Sequence, residues 1–286
     1  MIVVTGATGQ FGHTAIEHLI DRGVAPETIV AAVRAPETAS ELANRGVRVR
    51  HADYDQPETL APAFEGADKL LFVSSGGPNE QRIAHHRAVV EAAKQADVGL
   101  VAYTSLVQAD TNPMALAEVH RDTERALEES GVPTVLLRNG WYTENYTANL
   151  AYAVDHGVIL GCAGEGRIAG ATRAELAEAA AVVLTSEDQA GKVYELTGDT
   201  AWSLEDLAAA ASGHVDKPVV YRDVAPEEYA GMLAQMGLPP HMVGLIVDAD
   251  VQLAQGALEA TSKDLRKLLG RPTRQIDDVV RETIQH

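Results

Sequence analysis

The chain has 286 residues, 46% of them hydrophobic, which is enough for one large domain or two closely packed ones. Its net charge of −18 disfavours nucleic acid and membrane surfaces as partners because both are anionic, although the charge also serves plain solubility. Met1 leads directly into an apolar strand-like run, no run approaches a membrane span, and Cys162 is the only cysteine, so we expect a cytoplasmic protein without signal peptide or intrachain disulfide.

The first half of the chain alternates between short apolar runs and amphipathic segments. Strands so uniformly apolar are buried on both faces, and their alternation with helices implies parallel pairing through right-handed crossovers. We therefore predict an α/β fold, a Rossmann-type doubly wound parallel sheet. The predicted strands cover residues 2–6, 28–34, 47–54, 69–75, 99–105 and 134–140, and the predicted helices cover 10–23, 37–46, 56–66, 80–97 and 113–131.

The regular alternation of predicted strands and helices ends after about residue 141. One more strand is predicted at 192–198, and "SLEDLAAAAS" reads as a helix capped by Ser203 with Asp206 in a variant of the capping box. The tail is mainly helical, over 226–242 and 261–284. We expect the sheet domain to span 1–140, completed by the strand near 192–198, and a smaller, mainly helical lobe to span 141–286.

Three glycines in "TGATGQFG" lie between the first strand and the first helix. In a βα unit, Gly6 would permit the tight turn, Gly9 the close approach of a pyrophosphate, and Gly12 the close packing of helix on strand. The spacing is G-x-x-G-x-x-G rather than the more familiar G-x-G-x-x-G. Its position after a strand favours dinucleotide binding over a purely structural turn.

The end of the second predicted strand indicates which dinucleotide binds. An acidic residue there would bind the 2′-hydroxyl of NAD, whereas this chain has Arg34 in "AAVRAPE". A guanidinium pairs with a 2′-phosphate, so NADP(H) is favoured. The alternative is that Arg34 is a solvated surface residue and Glu37 contacts the ribose. Asp53 and Asp55 follow the third strand and suit either the adenine edge or a turn.

The blocks "TGATGQFG", "LLFVSS", "YTSL", "LLRNGWYTENY" and "GEGRIAGATRAELAEAAA" resemble the NmrA-like branch of the atypical short-chain dehydrogenases. Within that branch the chain is most similar to the bacterial NAD(P)H:quinone oxidoreductases of type 2. The resemblance covers most of the chain. It implies an NADP(H)-binding Rossmann domain, a smaller substrate-binding domain and reduction of a small-molecule quinone by NADPH. It leaves the oligomeric state open, with a homodimer as the candidate.

The resemblance also implies site residues. Arg34 would hold the 2′-phosphate, and Arg173 would reach the cofactor or be an ordinary residue at a helix start. Trp141, Tyr142 and Tyr146 are also candidates for stacking on a planar substrate that Asn145 or Glu144 would hold, and the alternative for Trp141 is core packing. The full set implied for the cofactor is Gly6, Thr8, Gly9, Gln10, Phe11, Gly12, Arg34, Val73, Ser74, Ser75, Arg138, Asn139, Gly140, Trp141, Tyr142, Thr143 and Arg173.

The chain departs from the wider superfamily at its catalytic pair. Short-chain dehydrogenases use Tyr-x-x-x-Lys on the helix after the fifth strand, where this chain has Leu116 and His120. Oxidation of ordinary alcohols is therefore disfavoured, whereas a quinone accepts hydride readily. His120, which shares a helical face with Glu124, is the candidate catalytic residue and could equally be packed or solvated.

Two functions remain open at this point. The first is an NADPH-dependent quinone oxidoreductase that transfers hydride from nicotinamide to a small quinone without flavin or metal. The second is a non-enzymatic sensor that binds NADP(H) and acts through a protein partner. The adjacent His85 and His86 point differently on a helix and do not predict a metal site.

Overall fold

The computed structural model describes residues 1–285, in which a seven-stranded sheet has the order β3-β2-β1-β4-β5-β6-β9. Pairing is parallel from β3 through β6, which confirms the predicted doubly wound α/β sheet. In the middle, Val3 lies opposite Val30 on one side and Leu70 on the other. The strands are β1 (Ile2–Thr5), β2 (Ile29–Val33), β3 (Arg48–His51), β4 (Lys69–Phe72), β5 (Leu100–Leu106), β6 (Thr134–Asn139), β7 (Val158–Gly161), β8 (Arg167–Ile168), β9 (Val193–Leu196), β10 (Trp202–Ser203) and β11 (Val220–Asp223).

The helices of the first half lie close to the predicted positions. Two of the predicted helices are shorter than expected and each opens with a 3₁₀ turn, at 36–39 and 57–59, where Pro36 and Pro57 occupy the first position. The α-helices are α1 (Gln10–Asp21), α2 (Ser40–Asn44), α3 (Leu60–Phe64), α4 (Asn79–Gln95), α5 (Ala115–Ser130), α6 (Glu144–Thr147), α7 (Leu150–His156), α8 (Arg173–Thr185), α9 (Leu204–Gly213), α10 (Pro226–Gln235), α11 (Pro240–Ala254), α12 (Asp264–Leu269) and α13 (Ile276–Gln285).

Helix α1 buries one apolar face. Its apolar spacing places Phe11, Ala15, Leu19 and Ile20 on one side; of these the first three are buried, Ile16 is buried with them, and Ile20 is only half-buried. Helix α8 packs against α1. Helix α8 also contacts β4 and β5, so it belongs with the sheet although it comes much later in the chain.

The chain forms two compact units whose boundaries interleave in sequence. The first unit comprises Met1–Asp110, Glu118–Asn139 and Arg173–Glu195. The second comprises Thr111–Ala117, Gly140–Thr172 and the chain from Leu196 onward. The predicted boundary at residue 140 therefore differs from the structure, since α8 returns to the first unit together with the predicted late strand β9.

The second unit contains two small sheets that the sequence did not predict. Strand β7 pairs in parallel with β11, and β8 pairs antiparallel with β10. The capping box at the start of α9 is confirmed: the Asp206 amide donates to Ser203 Oγ at 3.1 Å, and the Ser203 amide donates to the Asp206 carboxylate at 2.9 Å.

Within residues 1–285, no helix is both long and apolar enough to cross a membrane.

Candidate functional site

The glycine loop after β1 has the backbone geometry of a close-approach turn. Gly6 has φ of +58°, in the left-handed region that favours glycine, and its carbonyl accepts from the Gly9 amide at 2.9 Å. A Cβ atom on Gly12 would collide with the Gly6 carbonyl oxygen and lie 3.0 Å from the Ala7 Cα. Gly6 therefore serves the turn and Gly12 the packing of α1 against it, while Gly9 and Thr8 face solvent.

The N-terminus of α1 is suited to an anion. Its N-cap is Gly9, which offers no side-chain acceptor, and no acidic residue lies in the first turn, where Gln10 is exposed. Amide groups at a helix start and the helix dipole both favour negative charge. The loop and this helix end, called the glycine cradle below, therefore have the geometry and polarity that suit a phosphate group.

A cavity of about 660 Å³ opens at the carboxyl ends of β1 to β4, a size typical of ligand pockets. It brings together seven of the predicted cofactor residues: Gly6, Thr8, Gly9, Arg34, Val73, Ser74 and Ser75. The sequence did not single out most of the other lining residues, which are Ala32, Val33, Ala35, Thr38, Ala52, Asp53, Tyr54, Asp55, Gly76 and His85.

Arg34 and the two aspartates occupy different parts of this cavity wall. The exposed Arg34 directly follows β2. The Asp53 carboxylate accepts from the Asp55 amide at 3.0 Å, which makes it a turn residue. Asp55 accepts from His85 Nε2 at 2.8 Å, and this hydrogen bond is the main cause that lowers the pKa of Asp55, with Arg34 a smaller contributor.

Unsatisfied polar atoms inside the wall fit a polar ligand. Ser75 Oγ and His85 Nδ1 are buried and have no hydrogen-bond partner among the described residues. Buried polar atoms without partners cost about 1–3 kcal/mol each, so they usually have a ligand or water partner. Together with the glycine cradle, these atoms fit a phosphate-bearing dinucleotide.

Asn139, at the end of β6, also has buried polar atoms without hydrogen-bond partners among the described residues, although it does not line this cavity. Its side chain is buried, and neither Oδ1 nor Nδ2 has a partner among residues 1–285. A primary amide offers both a donor and an acceptor. Its chemistry therefore matches another amide, such as the carboxamide of a nicotinamide.

Arg138, beside Asn139, has its guanidinium engaged within the protein. It binds Glu124 on α5 through two hydrogen bonds of 2.8 and 3.0 Å, and Glu195 on β9 at 3.0 Å. Glu124 is the main cause that raises the pKa of Arg138. The cluster joins α5, β6 and β9, so the structure does not support the predicted cofactor contact through this side chain. Glu124 also accepts from the Ser105 hydroxyl, so its carboxylate binds Arg138 and Ser105 instead of His120, which shares its helical face.

His120 lies in the core of the first unit, where the Tyr103 hydroxyl contacts its Nδ1 at 2.8 Å. His86 is also buried, and its Nδ1 lies 2.7 Å from Thr123 Oγ1. Burial lowers the pKa of His86 to about 3 and lowers the pKa of His120 well below its ordinary value. Both imidazoles are therefore neutral at physiological pH.

These two histidines predict acid-sensitive folding. A histidine binds a proton below about pH 6.5 in the unfolded chain but not in this core, so stability falls as pH falls from 6.5 toward 5. Each contributes a slope of about 1.4 kcal/mol per pH unit in that range. Urea titrations should show that His86→Gln reduces the slope by about that amount. Met242→Gln, at an exposed position in α11 that carries no titratable group, should leave it unchanged. An unaltered slope in His86→Gln would contradict the expectation.

The block that follows β6 belongs to the second unit. Gly140 donates its amide to the Leu196 carbonyl at 2.7 Å, and the Thr143 amide donates to Ala171 at 3.0 Å. Trp141 is half-buried, and its indole Nε1 is buried without a partner among the described residues. Tyr142 forms a single parallel bridge with Ala171, and Asn145 is exposed on α6.

Tyr146 points into the second unit. Its hydroxyl donates to the buried carboxylate of Asp250 at 2.8 Å, and its ring meets Trp202 edge-on. Burial is the main cause that raises the pKa of Asp250. The buried thiol of Cys162 is held in the same region, where the Cys162 amide donates to Asp250 at 2.9 Å. Arg173 begins α8 in the first unit.

The parallel sheet, the glycine loop and the cavity at the strand ends define the class of Rossmann-type dinucleotide-binding proteins. A family model described as NAD(P)H-binding matches residues 6–187, and the chain belongs to this family. Among residues 1–285, no group of three His, Cys, Asp or Glu side chains that could hold a metal ion is found.

Similar proteins extend the match over the whole chain. Quinone oxidoreductase 2 of Escherichia coli K12 is 46% identical over 98% of this chain and 97% of its own length. The crystal structure of the Escherichia coli NADPH-dependent quinone oxidoreductase complexed with NADPH superposes with a TM-score of 0.95, covering 99% of this chain and all of that one. Triphenylmethane reductase of a Citrobacter species, complexed with NADP(H), has the same TM-score at 38% identity over 99% of this chain and all of its own. The resemblance to NmrA-like reductases is confirmed.

Proposed function

We propose that this chain is an NADPH-dependent quinone oxidoreductase. The observation that carries the proposal is 46% identity, over nearly the full length, to a quinone oxidoreductase whose crystal structure contains NADPH. The cavity with its glycine cradle supports the same cofactor. The substrate is a small quinone, and the alternative of a non-catalytic sensor is disfavoured.

Different residues of the first unit bind different parts of the cofactor. The loop of Gly6, Thr8 and Gly9 and the start of α1, with Gln10, Phe11 and Gly12, hold the pyrophosphate. Arg34 binds the 2′-phosphate, and the loop 73–75 lies along the ribose and adenine. Asn139 binds the nicotinamide carboxamide, a role supported by its unpaired buried amide. Bound NADPH supplies the hydride that reduces the quinone.

The second unit contributes the substrate-binding lobe in this proposal. Trp141 and Tyr142 offer aromatic faces on which a planar quinone stacks. Asn145 is exposed and offers a polar contact, while Gly140 and Thr143 shape the chain beside them. Tyr146 holds this segment through Asp250. A cytoplasmic location and a homodimer remain parts of the proposal.

Direct hydride transfer without flavin or metal is tested with NADPH deuterated at C4 of the nicotinamide. Stopped-flow oxidation by a small quinone should show a primary isotope effect in protein stripped of bound cofactors. A requirement for added flavin would contradict the mechanism. Tight NADPH binding without quinone turnover would favour the sensor. Turnover of a triphenylmethane dye but of no quinone would reassign the substrate.

His120→Ala should lower kcat less than about 100-fold, the lower end of what a general acid supplies. A neutral, buried imidazole bound to Tyr103 is a poor proton donor at pH 7. The measurement is steady-state kinetics at saturating NADPH, with His120→Gln as the control because its amide oxygen accepts from Tyr103. A larger loss in a folded His120→Ala protein would make His120 the acid after all.

A further inference from the structure

The loop 73–75, which lines the cofactor cavity, is held in an unusual way. Strand β4 ends at Phe72, and the next three backbone amides each donate to a side chain instead of to another strand. The acceptors come from β1, β5 and α4. They are Thr5 Oγ1 for Val73 at 2.9 Å, Thr104 Oγ1 for Ser74 at 2.9 Å and His86 Nε2 for Ser75 at 3.0 Å.

The His86 contact requires one tautomer of the imidazole. Nε2 accepts from the Ser75 amide, so the proton lies on Nδ1. Nδ1 then donates to Thr123 Oγ1 at 2.7 Å, and the Thr123 hydroxyl donates to the Val119 carbonyl at 2.7 Å. Every donor in this series of hydrogen bonds has an acceptor, and the series connects α5 through α4 to the cavity wall.

An apolar residue at position 86 could fill the same space, since the imidazole packs edge-on against Phe72 at 5.1 Å between ring centres. It would leave the Ser75 amide without its acceptor, which costs more than the lost hydrogen bond. Packing alone therefore does not account for a histidine here. The chain of hydrogen bonds accounts for both His86 and Thr123.

We infer that His86 and Thr123 are positioning residues for cofactor binding: together they hold the loop 73–75 in the conformation that receives NADPH. The inference rests on the proposed function, because it takes the cavity as the NADPH site. Neither side chain lines the cavity, so both act through the Ser75 amide. Losing them should change cofactor affinity more than the chemical step.

The test measures NADPH dissociation constants by fluorescence and kinetic constants with a quinone. His86→Leu should raise the Kd and KM for NADPH about tenfold or more, and Thr123→Val about threefold to tenfold. Both should keep kcat at saturating NADPH within about threefold of wild type. His86→Gln retains an acceptor and should recover much of the affinity.

Arg87→Ala is the matched control, because Arg87 on α4 pairs with Asp122 on α5 at 2.6 Å and so joins the same two helices. It should leave the Kd for NADPH unchanged. Imidazole ¹⁵N spectra supply a second readout, in which His86 should show a protonated Nδ1 and an unprotonated Nε2 in wild type. Thr123→Val should populate the other tautomer.

A folded His86→Leu protein with wild-type affinity for NADPH would overturn the inference while leaving the proposed function intact. If His86→Leu does not fold, a Thr123→Val protein with wild-type affinity for NADPH would overturn the inference in the same way. A wild-type protein that binds no NADPH would instead overturn the proposed function and the inference with it. An Nε2 proton on wild-type His86 would refute the hydrogen-bond chain directly.

Discussion

Gly9→Val is expected to abolish NADPH binding in a protein that still folds. Gly9 is exposed at the start of α1, where we propose that the neighbouring backbone amides bind the pyrophosphate. A Cβ there lies 3.2 Å from the Gly6 carbonyl oxygen, and a branched side chain would extend into the space of the pyrophosphate. Loss of two charge-assisted hydrogen bonds alone would weaken binding by about 100-fold or more.

Calorimetry with NADPH and a thermal melt decide the outcome. Gly231→Val, in α10, is the control because a Cβ on Gly231 meets no atom within 4 Å. It should bind NADPH normally. Normal affinity in folded Gly9→Val would show that the pyrophosphate lies elsewhere.

Arg34→Ala should convert the preference for NADPH into near-indifference between NADPH and NADH. The lost contact to the 2′-phosphate is charge-assisted and worth about 1.5–3 kcal/mol, which is about 10- to 150-fold in the Kd for NADPH. NADH lacks that phosphate, so its Kd should change little. Competition titrations with both cofactors give the two values.

Arg45→Ala is the matched control, since Arg45 binds Glu17 at 3.1 Å outside the cavity lining. Equal losses of NADPH and NADH affinity in Arg34→Ala would show that Arg34 does not read the 2′-phosphate. If Glu37 contacts the ribose 2′-hydroxyl instead, Glu37→Gln should weaken NADH binding and change the Kd for NADPH little.

The first half of the fold could be predicted because a short stretch of sequence indicates each helix or strand. Apolar runs predicted β1 to β6, and the glycine spacing after β1 predicted the tight turn between β1 and α1. The capping box of Ser203 and Asp206 was equally readable, since its two hydrogen bonds span three residues. Local patterns of this kind do not depend on distant neighbours.

Features that depend on distant residues could not be predicted. Strands β8 and β10 have two residues each, too few for any periodicity, and they exist because they pair with each other. Arg138 carried a predicted cofactor role because it precedes the "NGWYTENY" block. Its partners Glu124, Glu195 and Asp110 lie far away in the sequence, and no sequence signal links them to it.

Some residues that line the cavity could be predicted from the sequence, and others could not. Arg34 and Val73 directly follow strands, so their position at the sheet edge was accessible from the sequence. His85 reaches the same cavity from α4, where adjacent histidines gave no indication of which one faces it. Only the structure separates His85, in the wall, from His86, behind it.

The return of Arg173–Glu195 to the first unit has a consequence for synthesis of the protein. A nascent chain that ends near residue 140 has neither β9 to pair with the free edge of β6 nor α8 to pack against α1. Such a fragment exposes an unpaired strand edge, a feature that promotes aggregation of partly made proteins. The first unit can therefore be completed only after most of the chain has been translated, and a shortened gene for that unit alone must also encode α8 and β9.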